Sequence, residues 1–219
     1  MSAWRCPCER GAAVNLSRAS VVLCAGSGLL GADPRAVCTR LTDVAHALGG
    51  EVGATRAVVD AGWLGRDRLI GATGVPIAPV LYVGFGVSGA VWHERGRPVH
   101  VVSVNTDPAA PLADAADLML RTDAAALVDE LALRLPGRHP DVERRIAAAD
   151  PDPGHRPAGG AVPGVNLVVP VGTPHERLRM LTGVPSGPVR PVPPLAAAPA
   201  ADVLVAFLIE RGYLGGSRA

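Results

Sequence analysis

The sequence has few aromatic residues and no lysine. Three Trp, two Tyr and two Phe stand among 219 residues, although 48% of the chain is hydrophobic. The core must therefore consist mainly of Val, Leu and Ala, which is typical of a buried parallel sheet covered by Ala-rich helices. All 21 basic residues are Arg, and with 20 acidic residues they leave a formal net charge of +1. This balance argues against the basic surface of a nucleic-acid binder.

Long apolar runs and cysteines are also scarce. No segment reaches the roughly 18 apolar residues of a membrane span, and the charged N-terminus is unlike a secretory signal. We therefore expect a cytoplasmic protein without membrane insertion, in which cysteines are thiols rather than disulfides. Cys6 and Cys8 form a C-x-C pair, but no second Cys or His pair lies nearby in the sequence. We therefore expect no metal site.

Strand-like and helix-like segments alternate between residues 20 and 135. Apolar runs predict strands at 20–24, 80–85, 99–104 and 117–120. Periodicity and end signals predict a helix from Asp33-Pro34 to Gly49-Gly50, a short helix from about Ser88, and an amphipathic helix over 123–135. The alternation predicts an α/β domain with a mainly parallel sheet, in which ligands lie beyond the carboxyl ends of the strands.

Glycine and hydroxyl residues concentrate in four motifs at those predicted strand ends. The motifs are G-A-T-R-A-V-V-D-A-G-W (53–63), I-G-A-T-G (70–74), G-V-S-G-A-V-W-H (86–93) and V-N-T-D-P-A-A-P-L (104–112). Such runs present backbone N–H groups and small side chains, which bind phosphate groups. A phosphate-bearing ligand is therefore expected at this edge of the sheet.

A further glycine-rich run, A-G-S-G-L-L-G (25–31), contains the G-x-G-x-x-G pattern of dinucleotide-binding proteins. Two features argue against an NAD site. Asp33-Pro34 delays the helix past the third glycine, and Glu51, near the position of a ribose-binding acid, begins the following strand instead of ending it. We interpret the run as a glycine-rich turn.

In their order and spacing, these motifs resemble the C-terminal, FAD-binding domain of the alpha subunit of electron transfer flavoproteins, over roughly residues 20–135. The resemblance implies a three-layer α/β/α, Rossmann-like domain of the DHS-like NAD/FAD-binding kind. It also implies an electron carrier with FAD as cofactor, which accepts electrons from a dehydrogenase and passes them toward a respiratory-chain or other acceptor. The implied partner is a beta-like subunit in a heterodimer. No Ser-His-Asp arrangement or paired carboxylates emerge, so a redox carrier is expected rather than a catalyst with its own substrate.

The resemblance further implies which residues contact FAD. Arg56 matches the arginine that lies against the isoalloxazine, Thr73 the threonine that hydrogen-bonds flavin N5, and His93 the histidine that donates to the flavin C2 carbonyl. The full set of expected FAD-binding residues is Gly26, Gly28, Thr55, Arg56, Gly71, Thr73, Gly86, Ser88, Gly89, His93, Asn105 and Asp123.

Several of these residues also have simpler interpretations. Arg56 could form a surface ion pair with Asp60, and Asp123 could serve only as a helix N-cap. Ser88 is expected at the pyrophosphate, and by resemblance Asn105 and Asp123 lie on the adenosine side.

Three positions depart from the family's pattern. Ser27 stands where the family usually has Arg, and Leu69 and Ala72 replace two glutamines that contact the ribityl and phosphate region. We therefore expect reduced affinity for FAD. The alternatives are a nucleotide-binding module resembling the central domain of thiamine-diphosphate enzymes, a flavin-free interaction protein with a degenerate site, and a flavoenzyme that uses His93.

Composition divides the chain into four parts. We expect a flexible N-terminus (1–18), the FAD-binding domain (19–137), a Pro-rich extension (138–200) and a C-terminal docking helix (201–214).

The T-P-H-E-R stretch (173–177) and the final helix closing near R-G-Y-L (211–214) resemble the C-terminal tail of the electron transfer flavoprotein beta subunit. In that family the beta tail packs on the alpha FAD domain, so the resemblance implies that one chain carries both pieces. The alpha subunit's preceding domain has no counterpart here, so we expect a different partner arrangement or a replacement from another chain.

Overall fold

The structure is a computed structural model that describes residues 16–71, 73–89, 98–135 and 193–214. Five strands form one sheet in the order β2-β1-β3-β4-β5, and every neighbouring pair is parallel. The strands are β1 (Val21–Ala25), β2 (Glu51–Ala54), β3 (Leu81–Phe85), β4 (His100–Val104) and β5 (Leu118–Leu120). The predicted α/β class with a parallel sheet is confirmed.

Five α-helices lie within the described ranges. They are α1 (Pro34–Ala47), α2 (Arg56–Asp60), α3 (Pro111–Ala115), α4 (Ala124–Arg134) and α5 (Ala197–Glu210). Asp33 caps α1 by accepting a hydrogen bond from the Arg35 amide at 3.0 Å, and Asp123 caps α4 in the same way. Both helices therefore begin where a short acidic side chain satisfies an amide that has no partner within the helix.

Helix α5 begins four residues before its predicted start at residue 201. Pro199 lies in its first turn, where the missing N–H has no intrahelical partner to lose, so the proline does not prevent the helix from starting at Ala197. The chain turns away at Gly212, whose φ is 79°. The N-terminal segment and most of the Pro-rich extension lie outside the described residues, so the predicted division into four parts stays a prediction.

The two faces of the sheet are covered differently. On one face, side chains such as Leu23, Val83 and Val102 pack with α1, α4 and α5 in the larger core cluster. On the other face, Val22 and Tyr82 pack with residues of loops and of the short helix α3. Strands buried on both faces are almost entirely apolar, which explains the uninterrupted Val and Leu runs in the sequence.

The strand order fixes where a ligand can bind. From β1 the chain moves outward to β2, and it then returns to β3 on the other side of β1 before continuing to β4 and β5. The connections after β1 and β3 therefore lead in opposite directions and leave a crevice at the carboxyl ends of these two strands. The loops that follow Ala25 and Phe85 lie at this crevice.

Candidate functional site

Two glycine-rich loops meet at the crevice between β1 and β3. The Gly26 amide donates to the Phe85 carbonyl at 2.8 Å, and the Gly28 amide donates to the Gly86 carbonyl at 2.9 Å. A Cβ on Gly28 would lie 2.7 Å from the Gly86 Cα, and Gly86 has φ of 65°, which favours glycine. The structure thus brings together Gly26, Gly28 and Gly86. Their missing side chains let the two loops contact each other directly.

Arg56 and Thr73 form the polar part of the edge next to β2. Arg56 is the first residue of α2, and its guanidinium donates to the Thr73 hydroxyl at 3.2 Å. The same guanidinium lies 3.8 Å from an Asp60 carboxylate oxygen, and the Arg56 side chain is 54% exposed. The simpler interpretation of Arg56, an ion pair with Asp60, is therefore met, and the same guanidinium also contacts Thr73 from a different motif.

Thr55 carries a buried hydroxyl in the same place. Its amide donates to the Ala25 carbonyl at 2.9 Å, which joins the end of β2 to the end of β1. Its Oγ1 is buried and, in the described part of the chain, has no hydrogen-bond partner. A buried hydroxyl without a partner is destabilising by about 1–3 kcal/mol. A polar group supplied from outside the chain would fit this position.

The loop that carries Gly71 and Thr73 folds back on itself. The Val75 amide donates to the Leu69 carbonyl at 2.7 Å, and the Gly74 amide donates to the Gly71 carbonyl at 2.9 Å. Gly71 has φ of 125°, with open space where a side chain would be. Leu69, one of the positions that depart from the family's pattern, is buried. Ala72, another of those positions, lies outside the described residues.

The third motif is described only in part. Ser88 is exposed, and its carbonyl accepts a hydrogen bond from the Leu112 amide at 3.1 Å. Gly89 has open space where a side chain would be. Ser88 and Gly89, where a short helix was predicted to begin, are not helical, and the rest of that predicted helix lies with the candidate residue His93 in the range 90–97, outside the described residues.

Asn105 and Asp123 mainly make local contacts. The Asn105 amide group donates to the Val87 carbonyl at 3.2 Å, and its carbonyl oxygen accepts from the Asp107 amide at 3.1 Å. Asn105 therefore links the end of β4 to the loop after β3. Asp123 accepts from the Ala126 amide at 2.8 Å, which confirms its role as a helix cap. A contact from either side chain to adenosine stays a prediction.

Arg68 was not among the predicted site residues. This arginine is only 2% exposed, and its guanidinium donates to a Glu51 carboxylate oxygen at 2.9 Å and to the Val52 carbonyl at 2.8 Å. A single arginine in a loop is usually exposed, so the residue itself gave no signal of its burial. The signal that existed was Glu51, an acidic residue at the start of an otherwise apolar strand.

The cysteines in the described ranges are thiols without catalytic character. Cys24 and Cys38 are both buried and form no disulfide. Burial raises the pKa of the Cys24 thiol to about 12, an effect larger than the opposing hydrogen bond with Tyr82. Cys24 is therefore protonated near neutral pH and is a poor nucleophile. Cys6 and Cys8 lie outside the described residues.

Two negative observations apply to the described part of the chain. None of its helices has the length and apolar character required to cross a membrane. None of its His, Cys, Asp and Glu side chains gather in a group of three or more that could hold a metal ion.

The groups along the carboxyl edge fit a flavin nucleotide. They include the buried Thr55 hydroxyl without a partner, an exposed guanidinium at Arg56, and exposed residues with hydroxyl groups at Thr73 and Ser88. Flavin nucleotides offer ring carbonyls, ribityl hydroxyls and a pyrophosphate, all of which accept hydrogen bonds from such groups.

Comparison with known proteins gives matches over the part of the chain that contains most of these groups. Residues 15–97 match the family described as the electron transfer flavoprotein FAD-binding domain. The chain is 40% identical over 124 residues to the probable electron transfer flavoprotein subunit alpha, mitochondrial, of Caenorhabditis elegans, covering 56% of this chain and 36% of that protein. It is 42% identical over 106 residues to the electron transfer flavoprotein subunit alpha of Thermoanaerobacterium thermosaccharolyticum, covering 48% and 31%. It is 41% identical over 119 residues to Protein FixB of Rhizobium meliloti, covering 53% and 33%.

The chain spans about a third of the length of the curated relatives it matches. The matched region contains β1, β2 and β3 with the glycine-rich loops and the Arg56–Thr73 pair. The resemblance predicted from the four motifs is confirmed: this part of the chain is similar to the FAD-binding domain of electron transfer flavoprotein alpha subunits.

Proposed function

We propose that the protein binds FAD at the carboxyl edge of its sheet and acts as an electron carrier of the electron transfer flavoprotein alpha type. The observation that carries the proposal is the hydrogen bond between Arg56 and Thr73. These two residues are 17 positions apart in the chain and come from different motifs. Their meeting beside the β1–β3 crevice supports a single composite site rather than four unrelated loops.

Arg56 is the residue best suited to adjust the redox property of the site. When bound, FAD supplies the electron-accepting chemistry itself. The positively charged guanidinium of Arg56 is held in place by its contacts with Thr73 and Asp60. A fixed cation beside a group that gains negative charge stabilises the charged state, so Arg56 would raise the potential at which the protein accepts electrons.

The other candidate residues would bind and orient the cofactor. Ser88 and the open faces of Gly71 and Gly89 leave room for a phosphate-bearing ligand at the loops. The buried Thr55 hydroxyl is available to a ligand group in hydrogen-bond reach. Asn105 fixes the loop after β3. With Asp123 on the adenosine side and His93 at the flavin C2 carbonyl, these residues complete the proposed FAD site.

The proposed partners are a beta-like subunit and a dehydrogenase that donates electrons, within the cytoplasm. The packing of α5 on the sheet's helical layer supports the further proposal that this chain supplies its own beta-type tail. Arg134 of α4 and Asp202 of α5 form an ion pair at 2.9 Å, and α5 buries Leu204 and Leu208. A helix that follows the Pro-rich extension therefore completes the domain from within the same chain.

Titration of the apoprotein with FAD, followed by quenching of flavin fluorescence, tests the proposal. We expect saturable binding of one FAD per chain. Arg56→Met and Thr73→Val should each weaken binding by about tenfold, since each loses a polar contact to the ligand. Arg40→Met is the matched control, because Arg40 forms an ion pair with Asp129 on the helical layer at 2.6 Å and does not belong to the site.

Failure of the wild-type protein to bind FAD would contradict the proposal. Binding of a nucleotide such as AMP without any flavin would favour a nucleotide-binding module in its place. Equal FAD affinity in Arg56→Met and Arg40→Met would remove Arg56 from the site.

A further inference from the structure

Arg68 is the most deeply buried charged residue in the described ranges, and nothing in the FAD site as proposed uses it. It belongs to a short 3-10 turn, Arg66–Arg68, that leads into the loop carrying Thr73. Its guanidinium contacts both Glu51 and the Val52 carbonyl, so it is attached to the first two residues of β2. A buried arginine without such partners would be strongly destabilising, and here the partners come from the edge strand of the sheet.

The chain after Arg68 continues along β2 in parallel. Leu69 forms a bridge with Ala54, and the Ile70 amide donates to the Ala54 carbonyl at 2.8 Å. A Cβ on Gly53 would overlap the Ile70 side chain, so the loop packs directly on the strand. The loop is therefore attached to β2 at two points, through Arg68 at the strand's beginning and through Ile70 at its end.

This attachment determines where two site residues meet. β2 ends at Ala54 and places Arg56 at the edge of the sheet, and the attached loop places Thr73 at the same edge. A shift of the loop along β2 by one residue would displace Thr73 by roughly 3.3 Å. The 3.2 Å hydrogen bond from Arg56 to Thr73 would not survive such a displacement.

We propose that Arg68, through its contacts with Glu51 and Val52, is a positioning residue that sets the register of the loop on β2 and thereby holds Thr73 against Arg56. This inference rests on the proposed FAD-binding function. Arg68 does not touch the ligand in this account. It acts through Thr73, and its loss is expected to change flavin affinity and potential as well as stability.

Loss of stability alone would not distinguish this role, because removing any buried ion-pair partner destabilises a protein. The distinguishing quantity is the coupling between Arg68 and Thr73 in a double-mutant cycle. If Arg68 acts through Thr73, Arg68→Met should have a large effect only while the Thr73 hydroxyl is present.

The experiment measures the FAD dissociation constant and the flavin midpoint potential for five variants of the full chain. These are Arg68→Met, Thr73→Val, their double mutant, Arg68→Lys and the control Arg40→Met. We expect Arg68→Met to weaken FAD binding by about tenfold and to lower the potential. The double mutant should be no weaker than Thr73→Val by more than about twofold. Arg68→Lys, which keeps the charge and one hydrogen bond, should recover part of the loss, and Arg40→Met should resemble the wild type.

Hydrogen exchange of the apoprotein gives a readout that does not depend on FAD. The Ile70 amide should lose protection in Arg68→Met and keep it in Arg40→Met, because its hydrogen bond to the Ala54 carbonyl joins the loop to β2. If Arg68→Met does not fold, Glu51→Gln provides a milder change at the same ion pair, with the same direction expected for each readout.

The possible failures are distinguishable. If wild-type protein takes up no FAD, the proposed function fails and this inference fails with it. If wild-type protein binds FAD but the effects of Arg68→Met and Thr73→Val are additive, Arg68 serves stability alone and only the present inference is overturned. Unchanged protection of the Ile70 amide in Arg68→Met would overturn it as well.

Discussion

Replacing Leu204 by alanine tests whether α5 is an integral part of the domain. Leu204 is 1% exposed and packs in the core cluster formed by α1, α4, α5 and the sheet. Burial of a leucine side chain contributes about 1.5–3 kcal/mol, and the cavity left by truncation adds to the loss. Leu204→Ala should therefore lower the free energy of unfolding by about 2–5 kcal/mol.

Leu133→Ala is the matched control, since it makes the same chemical change on α4. The Leu133 side chain is 78% exposed, and its truncation should alter the free energy of unfolding by less than about 0.5 kcal/mol. Urea unfolding of both variants, followed by far-UV circular dichroism, gives the two differences. If the two variants unfold with the same free energy, α5 does not stabilise the domain. The proposal that the chain supplies its own tail would then lose its structural support.

Two further predictions concern the crevice and the amino ends of the strands. Gly86→Ala should destabilise the protein by at least about 1 kcal/mol more than the control Gly62→Ala. Both glycines have positive φ (65° and 76°), but only a Cβ on Gly86 would collide with Gly28. Equal melting temperatures of the two variants would contradict this. Burial and the neighbouring Arg211 lower the pKa of His100 from its usual 6.5, so the folded state favours the neutral ring. The stability contributed by His100 should be fully present above pH 6.5 and lost as the pH falls through the lowered pKa. His100→Asn should therefore lose less stability on acidification from pH 7 than the wild type does, and equal losses in urea unfolding would contradict this.

Features set by local chemistry could be predicted from the sequence. Asp33 and Asp123 begin their helices as expected, because a short acidic side chain followed by helix-forming residues satisfies the first free amides. The start of α5 was predicted four residues too late, at the end of the Pro-rich extension, although Pro199 in the first turn is compatible with a helix. Local signals thus located α1, α4 and most of the strands to within a few residues, whereas the short helices α2 and α3 were not predicted.

Features set by contacts between distant segments were predicted less well. The strand order and register depend on which strands pair across the sheet, and no single segment encodes them. The hydrogen bond between Arg56 and Thr73 was not predicted, since the family resemblance implied only that each of them contacts the flavin. The burial of Arg68 was not expected at all, because its partner Glu51 is 17 positions away and the loop reaches it only by pairing along β2.

The central claim is that the carboxyl edge of the sheet binds FAD. The most direct test is the visible absorption spectrum of the purified protein, with the released chromophore identified after denaturation. We expect the two bands of oxidised flavin and the release of FAD in a one-to-one ratio to the chain. A colourless protein that also fails to take up added FAD would contradict it.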